Sequence, residues 1–265
     1  MDTYRALLEY DGTRYSGFQM QANKLTIQGE LERALLALTQ TRVRVTGAGR
    51  TDAGVHAHGQ VISFAAPWRH GEADLQRAMN ALLPADIAVR RLVVAAPGFH
   101  ARYSAQSREY VYRILSSAIR SPLRERYALR VEQPLMLEAM VEAAGLLVGT
   151  HDLAAFGQPP QGDNTVRSVY RADWGVSPDV LAADDAGQAL PMLGFRIEAN
   201  AFLRGMVRRV VGTLLLVGQG RTSVAAFGEI LLSRDISRAA APAPAHGLCL
   251  WRVRYRDEGA AAEQP

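Results

Sequence analysis

The residues best able to do chemistry lie in one run, Gly47-Ala48-Gly49-Arg50-Thr51-Asp52-Ala53-Gly54-Val55-His56-Ala57. It places a carboxylate, Asp52, close to a guanidinium, Arg50, in a glycine-rich turn. Gly47, Gly49 and Gly54 permit positive φ and close approach of a ligand to the backbone, freedoms that cost entropy and that a plain connector does not need. A neighbouring positive charge favours an ionised carboxylate. That combination suits a nucleophile better than a proton donor. The plainer reading of Asp52 is an Asx turn, in which the side chain only holds the loop.

His56 and His58 offer a rival chemistry. Alternate residues of a strand share a face, so the two imidazoles, with Asp52 upstream, could ligate a metal. Such a site would define a metal-dependent hydrolase. Only three ligands are in sight, and no other Asp or Glu near a strand offers itself as a fourth. A hydrogen-bonded structural role for His56 is the simpler reading.

The elements that must position this loop follow from periodicity. Residues 42–46 and 60–64 carry apolar residues in strand-like patterns on either side of it. Residues 4–10 read as a strand ended by the Asp11-Gly12 turn signal. Ile27, Leu31, Ala34, Leu35 and Leu38 recur at helical spacing, with Thr26 as the N-cap. Leu75, Ala78, Met79 and Leu82 mark a second helix stopped by Pro84, and residues 87–94 read as another strand. The turn signal Ala95-Ala96-Pro97-Gly98 divides an N-terminal half, 1–98, from a C-terminal half, 99–258. In the second half strands are expected at 107–116, 166–176, 193–199 and 248–255. Helices are expected at 135–147, 202–217 and 224–232. Residues 239–245, rich in Ala and Pro, read as a surface loop, and 259–265 as a disordered tail. Two strand-rich halves with helices predict an α+β fold with a largely antiparallel sheet.

Composition narrows the partners. A net charge of +4 admits an anionic partner without requiring one. Lys24 is the only lysine, so the basic groups are guanidiniums, which pair with phosphates bidentately and stack on planar bases. Cys249 is the only cysteine, which excludes an internal disulfide and a cysteine-based zinc site; Leu248, Leu250 and Trp251 around it predict an inert core thiol. The N-terminus begins a strand pattern rather than a signal region, and the apolar stretch 210–217 is too short to span a bilayer. A cytoplasmic protein is expected.

Two further side chains stand out. Tyr110 and Tyr112 share a face of their strand, and both read as core aromatics unless a ligand is involved. Arg208 falls off the apolar arc formed by Leu203, Met206, Val207, Val210, Val211 and Leu214, which by itself predicts a solvated arginine.

The run from Ala48 to His56 reads A-G-R-T-D-A-G-V-H, and it has company. Tyr10-Asp11-Gly12 and Tyr15-Ser16-Gly17-Phe18-Gln19 precede it. Phe99-His100-Ala101-Arg102, then Arg108-Glu109-Tyr110-Val111-Tyr112, then Asn200-Ala201-Phe202-Leu203 with Met206-Val207-Arg208 follow. Together, in this order, they resemble the tRNA pseudouridine synthase A family over nearly the whole chain. Arg204 and Gly205 depart from it, standing where some members carry His-His-like residues. The resemblance implies isomerisation of uridine to pseudouridine in the tRNA anticodon arm, at positions 38, 39 and 40, without a cofactor. It makes Asp52 the nucleophile and stacks Tyr110 on the target base. It pairs Arg208 with the catalytic carboxylate and leaves Arg50 to serve the flipped nucleotide or its phosphate. It also implies a homodimer, and halves that share one sheet with a central cleft and helices on the outer side. Arg14, Arg108 and Arg113 are candidates to grip phosphates, or are merely solvated. The reading from a different class is a noncatalytic RNA-binding module, which would share the sheet and basic groove without needing the Arg50–Asp52 loop.

Overall fold

The computed structural model describes residues 1–159, 162–176 and 192–256; the tail expected to be disordered lies outside them. The fold is α+β with largely antiparallel strands, as the pattern predicts. The chain divides into two compact units, Met1–Arg108 together with the strand that follows Leu248, and Glu109–Leu248.

The first unit contains β1 (Asp2–Tyr10), α1 (Ile27–Thr39), β2 (Thr46–Gly47), β3 (His56–Ala66), α2 (Glu72–Leu82) and β4 (Ile87–Val94). Along β1, Tyr4, Ala6, Leu8 and Tyr10 are buried while the residues between them are not, the alternation of a sheet with one covered face. β1 pairs antiparallel with both β3, through Tyr4↔Phe64 and Ala6↔Ile62, and β4, through Tyr4↔Val94. Helix α1 starts where Thr26 accepts a hydrogen bond from Gly29 N, the N-cap expected from the sequence. It buries Ile27, Leu31, Ala34 and Leu35 completely.

Residues 42–45 do not form the expected strand; only Thr46 and Gly47 pair with β3. The backbone of Val45 turns instead to helix side chains. Its N–H donates to Glu32 Oε1 (3.1 Å) and its carbonyl accepts from Gln28 Nε2 (3.1 Å). Val43 and Val45 are buried as their pattern requires, so apolar alternation marked burial correctly and pairing wrongly.

β5 (Ala105–Ser116) begins in the first unit and runs on into the second. There follow α3 (Pro122–Glu125), β6 (Leu129–Val131), α4 (Leu137–Gly145), β7 (Gly149–Asp152), β8 (Val166–Val176), β9 (Met192–Ala199), α5 (Met206–Gly218) and α6 (Val224–Ser233). The second unit's strands lie in the order β5-β9-β8-β7, with β6 parallel to β5. Phe156 and Phe227 stack in its core at 5.7 Å between centroids. Helix α5 begins at Met206 rather than at 202. Gly205 sits at φ +72°, a left-handed turn that blocks helix propagation, and Arg204 N donates to Gln158 O (2.9 Å) instead of to a helical carbonyl. In the 239–245 loop, Ala243 is buried and its N–H donates to Arg208 O (2.8 Å), so this segment is stitched to α5 rather than lying wholly on the surface.

The last strand, β10 (Leu248–Tyr255), returns to the first unit and pairs parallel with β3, Cys249 opposite His56 and Leu250 opposite Ala57. Cys249 is buried there, the inert core position expected of it.

Candidate active site

The loop carrying Asp52 leaves β2 and enters β3, and nearly every residue of it is tied down. Ala48 N donates to Val61 O (2.8 Å). Gln60, fully buried on β3, holds Gly49 at both its backbone groups, accepting from N (3.3 Å) and donating to O (2.8 Å). Val55 N donates to Asp52 O (3.1 Å), closing a turn in which Gly54 takes φ +78°. Thr51 and Val55 are buried on either side of the turn, while Asp52 between them keeps part of its surface in solvent. The carboxylate is presented on a backbone with no freedom to retreat.

The mould for this turn is the segment 10–18. Tyr10 Oη lies 2.8 Å from Thr51 Oγ1, both side chains buried. Phe18 N donates to Thr51 O (3.0 Å), and Gly54 N to Tyr15 O (3.3 Å). Two glycines make the fit possible. A Cβ on Gly12 would stand 2.0 Å from Val55 O, and one on Gly17, at φ +97°, would stand 2.7 Å from Thr51 O. Gly12 N also donates to His56 Nδ1 (3.1 Å), the same nitrogen that Asp11 Oδ1 approaches at 3.1 Å. Behind the mould, Asp86 accepts from the Tyr15 hydroxyl (2.5 Å) and from Arg14 (2.8 Å). Burial, then this carboxylate, push the Tyr15 hydroxyl pKa well above its ordinary value.

Arg108 clamps the other side. Its guanidinium, with the residue only 9% exposed, donates to Ala48 O from Nε (3.2 Å) and Nη2 (2.9 Å). It also donates to Arg102 O (2.5 Å) and Ala105 O (3.3 Å). Arg108 is therefore neither a phosphate grip nor a solvated arginine. A buried guanidinium is stable only when its donors are satisfied, and here backbone carbonyls accept four hydrogen bonds from it. The first position of the R-x-Y-x-Y run could have signalled this. Nothing in the sequence marked Gln60 or Asp86.

The expected partners of Asp52 fare differently. Arg50 is exposed and makes no ion pair among the described residues; a hydrated guanidinium gains little from a surface pair. The guanidinium that the sequence sets close to Asp52 is thus turned to solvent. His56 is buried on the Asp11-Gly12 turn, whereas His58 is half exposed, stacked on Trp251 at 4.5 Å. Among the described residues, no three His, Cys, Asp or Glu side chains are gathered as a metal site requires. The Asp52/His56/His58 ligand set is not assembled, and the metal-hydrolase reading has no geometry behind it.

In the second unit, Tyr110 is 7% exposed and meets Phe202 edge to face at 5.0 Å. Phe202 comes from the Asn200-Ala201-Phe202-Leu203 run, so two of the singled-out motifs meet here. Tyr112 is fully buried, its hydroxyl donating to Pro244 O (2.9 Å) and its pKa raised, chiefly by burial. That is the core role expected for it. Arg208, on α5, is half-buried rather than solvated and donates from Nε to Ala243 O (2.7 Å).

Comparison with known proteins shows the family. A family model described as tRNA pseudouridine synthase matches residues 6–104 and 143–256. The matched segments include Arg50, Asp52 and Arg208, while Tyr110 lies between them. The tRNA pseudouridine synthase A of Chloroflexus aurantiacus is 46% identical over 256 residues, 96% of this chain and 89% of that protein. That of Geobacillus kaustophilus is 43% identical over 96% of this chain and 95% of its own length. That of a Roseiflexus species is 44% identical over 97% of this chain and 93% of its own. The chain belongs to the tRNA pseudouridine synthase family. Because that is a family of isomerases, the noncatalytic RNA-binding reading is set aside.

Proposed function

We propose that this enzyme converts uridine to pseudouridine in the anticodon stem-loop of tRNA, at positions 38, 39 and 40, with Asp52 as the nucleophile. The observation that carries the reading is the tightly bonded turn that presents a partly exposed carboxylate between buried Thr51 and Val55. Rigid presentation is what a nucleophile requires, since misplacement of a reacting atom by an ångström is costly in rate.

The reaction breaks the N1–C1′ bond, turns the uracil and joins C5 to C1′. C5 loses a proton and N1 gains one, so the product is an isomer and no cofactor is consumed. The carboxylate attacks C1′, as a glycosidase nucleophile does, adds to C6 of the base, or assists a glycal route begun by loss of the C2′ proton. Each route needs the uridine out of its stack, at a cost of a few kcal/mol recovered from pocket contacts. Tyr110 and Arg208 are assigned to the base and its surroundings, and exposed Arg50 to the flipped nucleotide or its phosphate. A homodimer acting in the cytoplasm completes the reading, with one subunit gripping the tRNA body while the other presents Asp52. No helix among the described residues is long and apolar enough to cross a membrane.

The test is incubation with unmodified tRNA in the presence of EDTA, followed by mapping of pseudouridine in the anticodon arm. Asp52→Asn should abolish turnover while tRNA binding persists; formation of product at even a tenth of the parent rate would sink the nucleophile. Sedimentation showing a fully active monomer at assay concentration would remove the dimer.

A further inference from the structure

The turn at 99–104 is built more firmly than a connector between β4 and β5 requires. Ala101, at its centre, is fully buried. Its N–H donates to Ser63 Oγ (3.1 Å), and its carbonyl accepts from the Tyr255 hydroxyl (2.7 Å). Phe99 packs on Tyr255 at 5.1 Å, and the Arg5 guanidinium lies over both rings at 5.2 and 4.5 Å. His100 Nδ1 accepts from the N–H groups of both Arg102 and Tyr103 (3.2 Å each), and Ser104 N donates to His100 O (2.9 Å). All this order serves to hold one side chain out. Tyr103 is 74% exposed, the most exposed aromatic residue among those described.

That ring is not loose. It stacks on the His100 imidazole, centroids 4.4 Å apart and planes inclined by 29°, with the Arg102 guanidinium 5.5 Å from its centroid. An aromatic ring left in water forgoes the burial that normally stabilises it. Here the ring is also held in one orientation beside a cation, which lowers the ordering cost of receiving a planar partner. Arg108 ties this turn to the loop of Asp52, since its Nη2 donates to both Arg102 O and Ala48 O. Platform and loop are therefore parts of one rigid body.

We infer that Tyr103, backed by His100 and flanked by Arg102, is a nucleotide-stacking subsite for an unpaired base next to the uridine being isomerised, an inference that rests on the function proposed above. A π-face with an adjacent guanidinium is the chemistry that recognises a single-stranded base and its phosphate without regard to base identity. A base paired within a helix offers no free face to the ring.

The test uses direct binding of a fluorescently labelled anticodon hairpin, with a blunt duplex of the same stem as comparison. Binding is measured in an Asp52→Asn background, and turnover in the parent background. Tyr103→Ala should weaken hairpin binding by about tenfold, the loss expected from one aromatic–base stack. It should raise KM more than it lowers kcat, and leave duplex binding and the melting temperature as in the parent. Tyr103→Phe and Tyr103→Trp should restore hairpin binding. Equal hairpin affinity for Tyr103→Ala and parent would overturn the inference. So would failure of Tyr103→Phe to rescue, or a change in sedimentation on Tyr103→Ala marking the ring as a protein contact. If hairpin binding depends on Tyr103 yet the parent protein forms no pseudouridine in any tRNA, the proposed function fails and the stacking subsite stands.

Discussion

The Tyr10 hydroxyl and the Thr51 hydroxyl lie 2.8 Å apart, both side chains buried, and Thr51 immediately precedes Asp52 in the chain. The bond joins the end of β1 to the loop assigned to catalysis, so the first strand of the sheet sets where that loop stands. Tyr10 belongs to the run Tyr10-Asp11-Gly12 and has no need to touch a substrate to matter. The role expected of it is that of a positioning residue acting through Thr51.

Tyr10→Phe should therefore cost about 1 kcal/mol of stability, the typical loss of one buried hydrogen bond. It should lower kcat by about tenfold through a displaced loop with little change in KM. Thermal unfolding and steady-state kinetics together check it. A normal kcat in a destabilised protein would make the bond structural only.

Gly12→Ala brings a methyl group 2.0 Å from the Val55 carbonyl, a distance no packing tolerates. Because the obstacle is backbone, the loop must move. A loss of about 1–3 kcal/mol is expected, along with most of the activity. Gly98→Ala makes the control: Gly98 also has positive φ, +76°, but nothing lies within 4 Å of its Cβ position, so it should be strained yet far more active. Equal activities for the two variants would contradict the mould.

Arg108→Lys preserves charge and loses the fork. One ammonium cannot reproduce the reach of the guanidinium to Ala48, Arg102 and Ala105 carbonyls. Loss of charged hydrogen bonds should destabilise by about 1.5–3 kcal/mol and depress kcat, measurable by denaturant unfolding and single-turnover rates. The salt dependence of tRNA binding should stay as in the parent, because Arg108 contacts carbonyls rather than phosphates. A reduced salt slope would return it to the phosphate-gripping role.

Tyr110→Phe and Tyr110→Leu separate the two parts of that side chain. Phe keeps the ring against Phe202 and removes the hydroxyl; Leu removes both. Inactive Phe with intact tRNA binding would give the hydroxyl a chemical role such as proton transfer. Normal turnover in both variants would leave Tyr110 a core aromatic, consistent with its 7% exposure.

Sequence alone determined the elements whose signal is local. Thr26 capping α1, the alternation of β1, the limits of β4 and β8, and the inert surroundings of Cys249 were all legible because period and capping act over a few residues. The motif around Asp52 was legible for the same reason, being contiguous. What required the tertiary structure was everything settled by partners far along the chain. Val45 gave its backbone to Gln28 and Glu32 rather than to a strand. β10 paired parallel with β3, whose pairings with β1 and β2 are antiparallel. Gln60 and Asp86, silent in the sequence, became the supports of the loop and its mould. Arg108 and Arg50, indistinguishable as residue types, were sorted into a buried clamp and an exposed charge. A guanidinium's role depends on which oxygens the fold brings within reach of it, and no spacing along the chain records that.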